Sequence, residues 1–326
     1  MKPEKIVSDF DGLPLAAAIT APSTPKGIIQ FSHGMAEHKE RYFDFMNYLS
    51  GYGYVCVIHD HRGHGESVAQ QEDYGFFYTE NEQAIIEDLH TVTKFIKNRY
   101  PGLPLFLFSH SMGTLVARGF LKKYDSEVER IVLCGPPTYN AAAGLAFLLA
   151  KLSKPFHGKK APNRTLNAMA FSGFNRGNTI PNGWLSENRQ NVIEYNEDPK
   201  CGFVFTTNGF INLFKLQKGA FHKRNWKVNN PDLSFLVIAG ADDPVIRSRK
   251  KFEALTGFLR SLGYGNIESK LYAHMRHEIL NETGKHLVYR DVVRFLDVSY
   301  PDSSAPRSVE KCEMTKKSSV HNSNSL

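Results

Sequence analysis

The feature that most constrains this chain is a succession of short apolar runs, each too short for a buried helix and each followed by residues at helical spacing. Residues 27–32 (GIIQFS), 53–58 (GYVCVI), 105–109 (LFLFS), 129–134 (ERIVLC) and 234–239 (SFLVIA) have strand length and almost no polar alternation. Strands of that kind are covered on both faces, as in a parallel sheet flanked by helices. A further strand is read at 267–272, and residues 13–20 (LPLAAAIT), after the Asp11-Gly12 turn, read as an early hairpin strand. Between the runs, Tyr42, Phe43, Phe45, Met46 and Leu49 recur at helical spacing. So do Ile85, Ile86, Leu89, Val92, Phe95 and Ile96 within 82–99, a helix closed by Pro101 and Pro104. Further helices are expected at 114–124, 247–262 and 284–298.

This alternation predicts an α/β fold with a mostly parallel sheet and helices on both faces. The pattern stops at 137 and resumes after 231. The expected organisation is therefore a core in two parts, 1–136 and 232–298, with a mainly helical cap, 137–231, inserted between them. Residues 299–326 are rich in Ser, Lys and Asn and read as a disordered tail.

The first ten residues, MKPEKIVSDF, contain neither an apolar run nor a small-residue cleavage site, so no secretory signal is expected. The most apolar stretch, AAAGLAFLLA at 141–150, falls short of the roughly 18–20 residues that span a bilayer. Cys56 and Cys134 sit in strand-like runs, and with Cys201 and Cys312 they show no CxxC spacing. Reduced cysteines and a cytoplasmic location are expected. The net charge of +7 is regional: 137–231 holds thirteen basic residues against four acidic ones, a net +9. Lys151, Lys154, Lys159 and Lys160 follow the apolar stretch, an arrangement suited to peripheral contact with an anionic membrane surface. A soluble exposed face would use the same residues. No nucleic-acid-binding motif accompanies the charge, and no nucleic-acid partner is expected.

The stretch Leu105-Phe106-Leu107-Phe108-Ser109-His110-Ser111-Met112-Gly113-Thr114 is a strand that runs into a serine and emerges as a helix. A G-x-S-x-G turn places a nucleophilic serine on such a sharp bend, and here Ser109 stands at the first glycine. A serine needs a base, a group that orients the base, and donors for the oxyanion. In this type of fold the acid and then the histidine follow the serine in the chain. Asp242 and Asp243 both follow strand 234–239, and His274 and His277 both follow strand 267–272. His286 lies in an amphipathic helix and His321 in the tail, and neither is a candidate. The N–H of Met112, after the serine, and that of Met35, after Phe31-Ser32-His33-Gly34, stand where oxyanion donors belong.

Three further motifs make the resemblance specific: His33-Gly34-Met35-Ala36-Glu37-His38-Lys39-Glu40-Arg41-Tyr42, Asp60-His61-Arg62-Gly63-His64-Gly65-Glu66-Ser67 and His277-Glu278-Ile279-Leu280-Asn281-Glu282. With the Ser109–Thr114 turn, the chain resembles the monoglyceride lipase and lysophospholipase branch of the α/β-hydrolases, grouped with serine aminopeptidase-like hydrolases. The resemblance covers roughly 1–136 and 232–298. It implies the α/β-hydrolase fold, Asp243 as the acid, His277 as the base, the same two oxyanion donors, and no cofactor or metal. Ser109 and Thr114 depart from the family turn without removing a reacting group. Glu37 and Arg41, four residues apart, are either a surface ion pair or a brace for His33-Gly34-Met35.

The implied activity is serine-dependent hydrolysis of a single-chain lipid ester, a lysophospholipid or monoacylglycerol. The abundance of aromatic residues in 137–231, among them Trp184, Trp226, Phe171, Phe174, Phe203 and Phe205, suits an acyl-chain tunnel as well as ordinary packing. A general carboxylesterase and an S33-like aminopeptidase share the same triad. A non-catalytic binding protein on this fold would lack triad members. His59, His61 and His64 have spacing reminiscent of a metallohydrolase, but Gly63 stands where that pattern needs Asp.

Overall fold

A computed structural model describes residues 1–171 and 173–297. Among them, eight strands form one sheet: β1 (Lys2–Val7), β2 (Pro14–Thr20), β3 (Gly27–Ser32), β4 (Tyr54–His59), β5 (Leu105–His110), β6 (Arg130–Cys134), β7 (Ser234–Gly240) and β8 (Ile267–Tyr272). Their spatial order is β1-β2-β4-β3-β5-β6-β7-β8. The β1–β2 and β2–β4 pairs are antiparallel and all other pairs are parallel. β1 was not foreseen as a strand. Only Ile6 of its six residues is buried, so this edge strand carries no apolar periodicity.

Every residue of β3, β4 and β5 is buried, as expected of strands covered on both sides. Successive side chains go to opposite faces. Ile28, Val55, Val57, Leu105, Leu107, Ile131 and Leu133 join one core; Ile29, Cys56, Ile58, Phe106, Phe108, Val132 and Cys134 join the other. The first core is closed by α2 (Gln83–Arg99) and α3 (Met112–Tyr124), together with α8 (Arg249–Arg260). The second is closed by α1 (Phe43–Gly51) and α9 (Lys285–Leu296). Residues 38–53 do not form one helix. A short 3-10 turn, Lys39–Tyr42, precedes α1.

Between β6 and β7 lie α4 (Ala143–His157), α5 (Arg164–Phe171), α6 (Arg189–Glu197) and α7 (Thr207–Ala220). α4 packs along α7, and α7 packs on α3. Lys151 and Lys154 fall inside α4 instead of after it. No helix among the described residues is long and apolar enough to cross a membrane. The tail from 299, with His321 and Cys312, lies outside the described residues.

The registers Ser32↔Ser109, His110↔Cys134 and Gly240↔Tyr272 align the carboxyl ends of the central strands. The loops after β3, β5, β7 and β8 therefore open on one edge, where open parallel sheets hold their sites.

Candidate active site

Ser111 sits between β5 and α3 with φ 50° and ψ −119°, a left-handed conformation that costs a non-glycine residue about 1–3 kcal/mol. Its N–H donates to Cys134 O at 2.9 Å, which pins the bend to β6. The turn needs Gly113, because a Cβ there would lie 2.1 Å from Ser32 O. Both departures from the family turn are accommodated. Ser109 is fully buried and donates its hydroxyl to Val132 O at 2.9 Å. Thr114 donates its hydroxyl to Ser111 O at 2.8 Å.

The structure brings together one member of each neighbouring pair. His277 Nδ1 lies 2.8 Å from Asp243 Oδ2, and both residues are buried. Asp243 Oδ1 accepts from Val245 N at 2.8 Å, so the carboxylate is held at both oxygens. Asp242 and His274 are exposed, and His274 lies in a left-handed turn at φ 56°. β7 ends on Gly240 because the loop carrying His277 presses on it: a Cβ there would meet Met275 O and Arg276 O at 2.1 Å. Ser111 and His277 line the same cavity, and no hydrogen bond joins them in this state.

The loop after β3 is held on both sides of Gly34. The Gly34 N–H donates to Glu37 Oε1. His33 Nε2 accepts from His61 N at 2.9 Å, which leaves Nδ1–H to donate to Gly34 O at 2.8 Å. The Gly34–Met35 peptide is planar and trans, so fixing its oxygen on His33 aims the Met35 N–H the opposite way. The N–H groups of Met35 and Met112 have no acceptor among the described residues, and both residues line the cavity with Ser111.

Glu37 and Arg41 are not a surface pair. Glu37 is 4% exposed, and Arg41 Nε lies 3.6 Å from Glu37 Oε2. Glu37 Oε1 also accepts from Tyr42 OH at 2.8 Å and faces His110 Nδ1 at 3.1 Å. Burial alone would raise the Glu37 carboxyl, but the hydrogen bond and charge of His110, with Arg41, hold it well below the usual carboxylate range. Burial would likewise lower His110, and Glu37 overrides it, so the His110 pKa is raised.

The cavity over Ser111 has a volume of about 470 Å³. Leu115, Leu149, Phe171, Phe174, Trp184 and Phe214 supply much of its wall. The aromatic residues of 137–231 thus divide. Phe205 and Phe210 are core, Trp226 packs on Phe258, and Trp184 lies over His277 with ring centroids 5.3 Å apart.

The family model described as serine aminopeptidase, S33, matches residues 23–284. The chain belongs to this family. As an S33 hydrolase it is 25% identical to a monoacylglycerol lipase of Mycolicibacterium smegmatis, over 87% of this chain and 93% of that protein. It is 31% identical to the monoglyceride lipase of Mus musculus, over 58% of this chain and 57% of that one. Among solved structures, a thermostable carboxyl esterase from Bacillus coagulans superposes with a TM-score of 0.83, covering 90% of this chain and 97% of that chain at 24% identity. That likeness establishes the α/β-hydrolase fold.

Several contacts in this S33 hydrolase escaped the sequence reading. Arg41 donates to Glu278 Oε2 at 2.6 Å, and Asn191 of α6 donates to the same oxygen at 2.6 Å. Tyr195 OH donates to Ala36 O at 3.0 Å, and Gly202 N donates to it at 2.9 Å. The 137–231 segment thus grips the loop that carries Met35. Only the position of Glu278 next to His277 hinted at this. His59, His61 and His64 are fully buried, and burial pushes His59 and His64 down to about 3. They pack with His33 as neutral rings, and Arg62 pairs with Asp88 at 2.7 Å. They are not among the described groups with metal-holding geometry.

Proposed function

We propose that this S33 hydrolase cleaves the carboxylic ester of a single-chain lipid, a monoacylglycerol or lysophospholipid, through an acyl-Ser111 intermediate. The observation that carries the reading is the cavity. Its largely apolar lining includes Ser111 and His277, and its volume lies within the roughly 300–1,000 Å³ of small-molecule sites. An acyl chain gains about 0.8 kcal/mol for each methylene it buries there. The names of the relatives in Mycolicibacterium smegmatis and Mus musculus support the same chemistry.

In the proposed mechanism His277 takes the Ser111 proton as Oγ attacks the ester carbonyl. Asp243 holds the ring tautomer and stabilises the imidazolium. The Met35 and Met112 N–H groups bind the oxyanion. The alcohol leaves with the proton from His277, and water repeats the attack to release the fatty acid and restore Ser111. An aminopeptidase needs a carboxylate free to receive the substrate ammonium. The two that line the cavity, Glu37 and Glu278, are committed to Gly34, Tyr42, His110, Arg41 and Asn191.

Residues 137–231 act in this proposal as a cap that meets an anionic lipid surface. Leu145, Leu148 and Leu152 on one side of α4 are 60%, 51% and 59% exposed, and Met169 is 51% exposed. Leu145 and Met169 also line the cavity, so the apolar patch adjoins its mouth. The electrostatic part is smaller than the charge count suggested. Lys154 pairs with Glu80 at 2.5 Å and Lys160 with Asp73 at 2.9 Å, which leaves Lys151 and Lys159.

A panel of monoacylglycerols, lysophosphatidylcholine, short p-nitrophenyl esters and aminoacyl arylamides tests the reading. Long-chain single-tailed esters are expected to lead. Ser111→Ala is expected to lose both turnover and fluorophosphonate labelling. Preference for arylamides, or retained turnover in Ser111→Ala, refutes it.

A further inference from the structure

We propose that His38, Asp198 and Cys201 form a zinc-binding site that ties the 137–231 segment to the arm of the Met35 loop. The three ligand atoms, one imidazole nitrogen, one carboxylate oxygen and one thiol sulfur, lie within 4.8 Å of one another. Tetrahedral zinc with bonds of about 2.0–2.3 Å sets its ligands roughly 3.3–3.6 Å apart, so small side-chain shifts suffice. His38 Nε2 and Asp198 Oδ2 are now 2.8 Å apart and separate by about half an ångström to admit the ion.

The surroundings are those of a ligand set. Cys201 N donates to Asp198 O at 2.9 Å, a turn that puts both side chains on one loop. Asp198 Oδ1 is occupied by Lys200 N at 2.8 Å, which leaves Oδ2 for the ion. On the far side of the ring, Glu40 Oε2 stands 3.3 Å from His38 Nδ1. A metal-bound imidazole characteristically donates its other N–H to a carboxylate. His38 Nδ1 has no hydrogen-bond partner among the described residues, and Glu40 is the carboxylate near enough to become one. The Asp198 side chain is 30% exposed and Glu40 40%, which gives the ion an entry path.

Mixed nitrogen, oxygen and sulfur donors suit zinc better than magnesium or calcium. Zinc takes the Nε2 lone pair while the ring proton moves to Nδ1. Burial raises the Cys201 thiol, so coordination releases its proton. Two anionic ligands and a neutral imidazole cancel the charge of the ion, so the complex is neutral; exchanging the thiol proton for Zn²⁺ raises the local charge by one unit. A water completes the tetrahedron. The consequence is mechanical. His38 is two residues beyond Ala36, whose carbonyl already receives Tyr195 and Gly202. Zinc would therefore fasten the segment to the loop at a second point without touching the reacting atoms.

The test uses the full chain, stripped with a chelator and titrated with zinc against a chromophoric zinc indicator. One zinc per chain at micromolar affinity or tighter is expected, and at least tenfold weaker binding in Cys201→Ser and in Asp198→Asn. The Asp198→Asn variant keeps a hydrogen-bond partner for His38, so it guards against loss of fold. Cobalt is expected to give a thiolate charge-transfer band in the wild type and none in Cys201→Ser. About a hundredfold excess of zinc over Kd is expected to raise Tm by several degrees in the wild type only. Zinc affinity unchanged by Cys201→Ser, or no binding below millimolar zinc, overturns the proposal.

Discussion

Replacing Glu37 by Gln tests whether the oxyanion loop is braced by charge. Glu37 Oε1 receives Gly34 N–H and Tyr42 OH and faces His110, while Oε2 faces Arg41. Gln keeps one acceptor oxygen but turns an NH₂ toward Arg41 and leaves His110 without its counter-charge. Breaking a buried charge network from one side costs about 3–5 kcal/mol, and the retained acceptor places this variant near the lower end. At about 1.5 °C per kcal/mol for a chain of this length, Tm should fall by about 5 °C. Loss of one oxyanion donor slows an enzyme about a hundred- to a thousandfold. His33 still grips Gly34 O in the variant, so only part of that loss is expected, about ten- to a hundredfold. The fall should reside in kcat, because in the proposed mechanism the loop binds the developing oxyanion. The assay is steady-state hydrolysis of a short soluble ester at a temperature where both proteins are fully folded, beside thermal melts. A kcat within twofold of wild type, with the drop in Tm intact, would show that Glu37 only holds the fold together.

Asp243→Asn is expected to lower kcat about ten-thousandfold by disfavouring the productive His277 tautomer, while exposed Asp242→Asn stays near wild type. The same ester assay on both variants decides it. The His110 pKa is raised above 6.5, so its protonation contributes stability that is complete below about pH 6.5 and lost as pH rises through the folded value. The Glu37 carboxyl is depressed below 4.5, so its contribution is present above about pH 4.5 and lost as pH falls through its folded value. Urea midpoints from about pH 2 to pH 9 should show both limbs, and His110→Gln should flatten the alkaline one. Leu148→Ser with Leu152→Ser should abolish sedimentation with anionic vesicles. Lys151→Gln and Lys159→Gln should each weaken it by about 1 kcal/mol, and hydrolysis of a small ester should persist throughout.

What was legible in the sequence was what neighbours in the chain determine. Ser111 could be found because strand, bend and helix follow one another, and the space that Gly113 leaves for β3 is written into the same five residues. Asp243 and His277 each had a near neighbour of the same type in the same loop. Periodicity cannot rank such pairs, because which side chain turns inward depends on the contact between the loops after β7 and β8. Family spacing pointed to Asp243 and His277, the two members of these pairs that lie in hydrogen-bond contact. Glu37 and Arg41 show the limit from the other side. Their spacing of four allowed a surface pair or a brace, and burial excludes the surface pair. That burial is completed by Glu278 and Asn191, whose distance in the chain leaves no local trace. The +9 of residues 137–231 overcounted the unpaired charge for the same reason. A charge count sees Lys154 and Lys160 but not Glu80 and Asp73, which the fold brings to meet them. β1 lacked any signal because an edge strand with one buried residue has almost no hydrophobic pattern to display. Chemistry carried by one loop is thus readable from sequence, whereas selection among equivalent groups is made by segments far away in the chain.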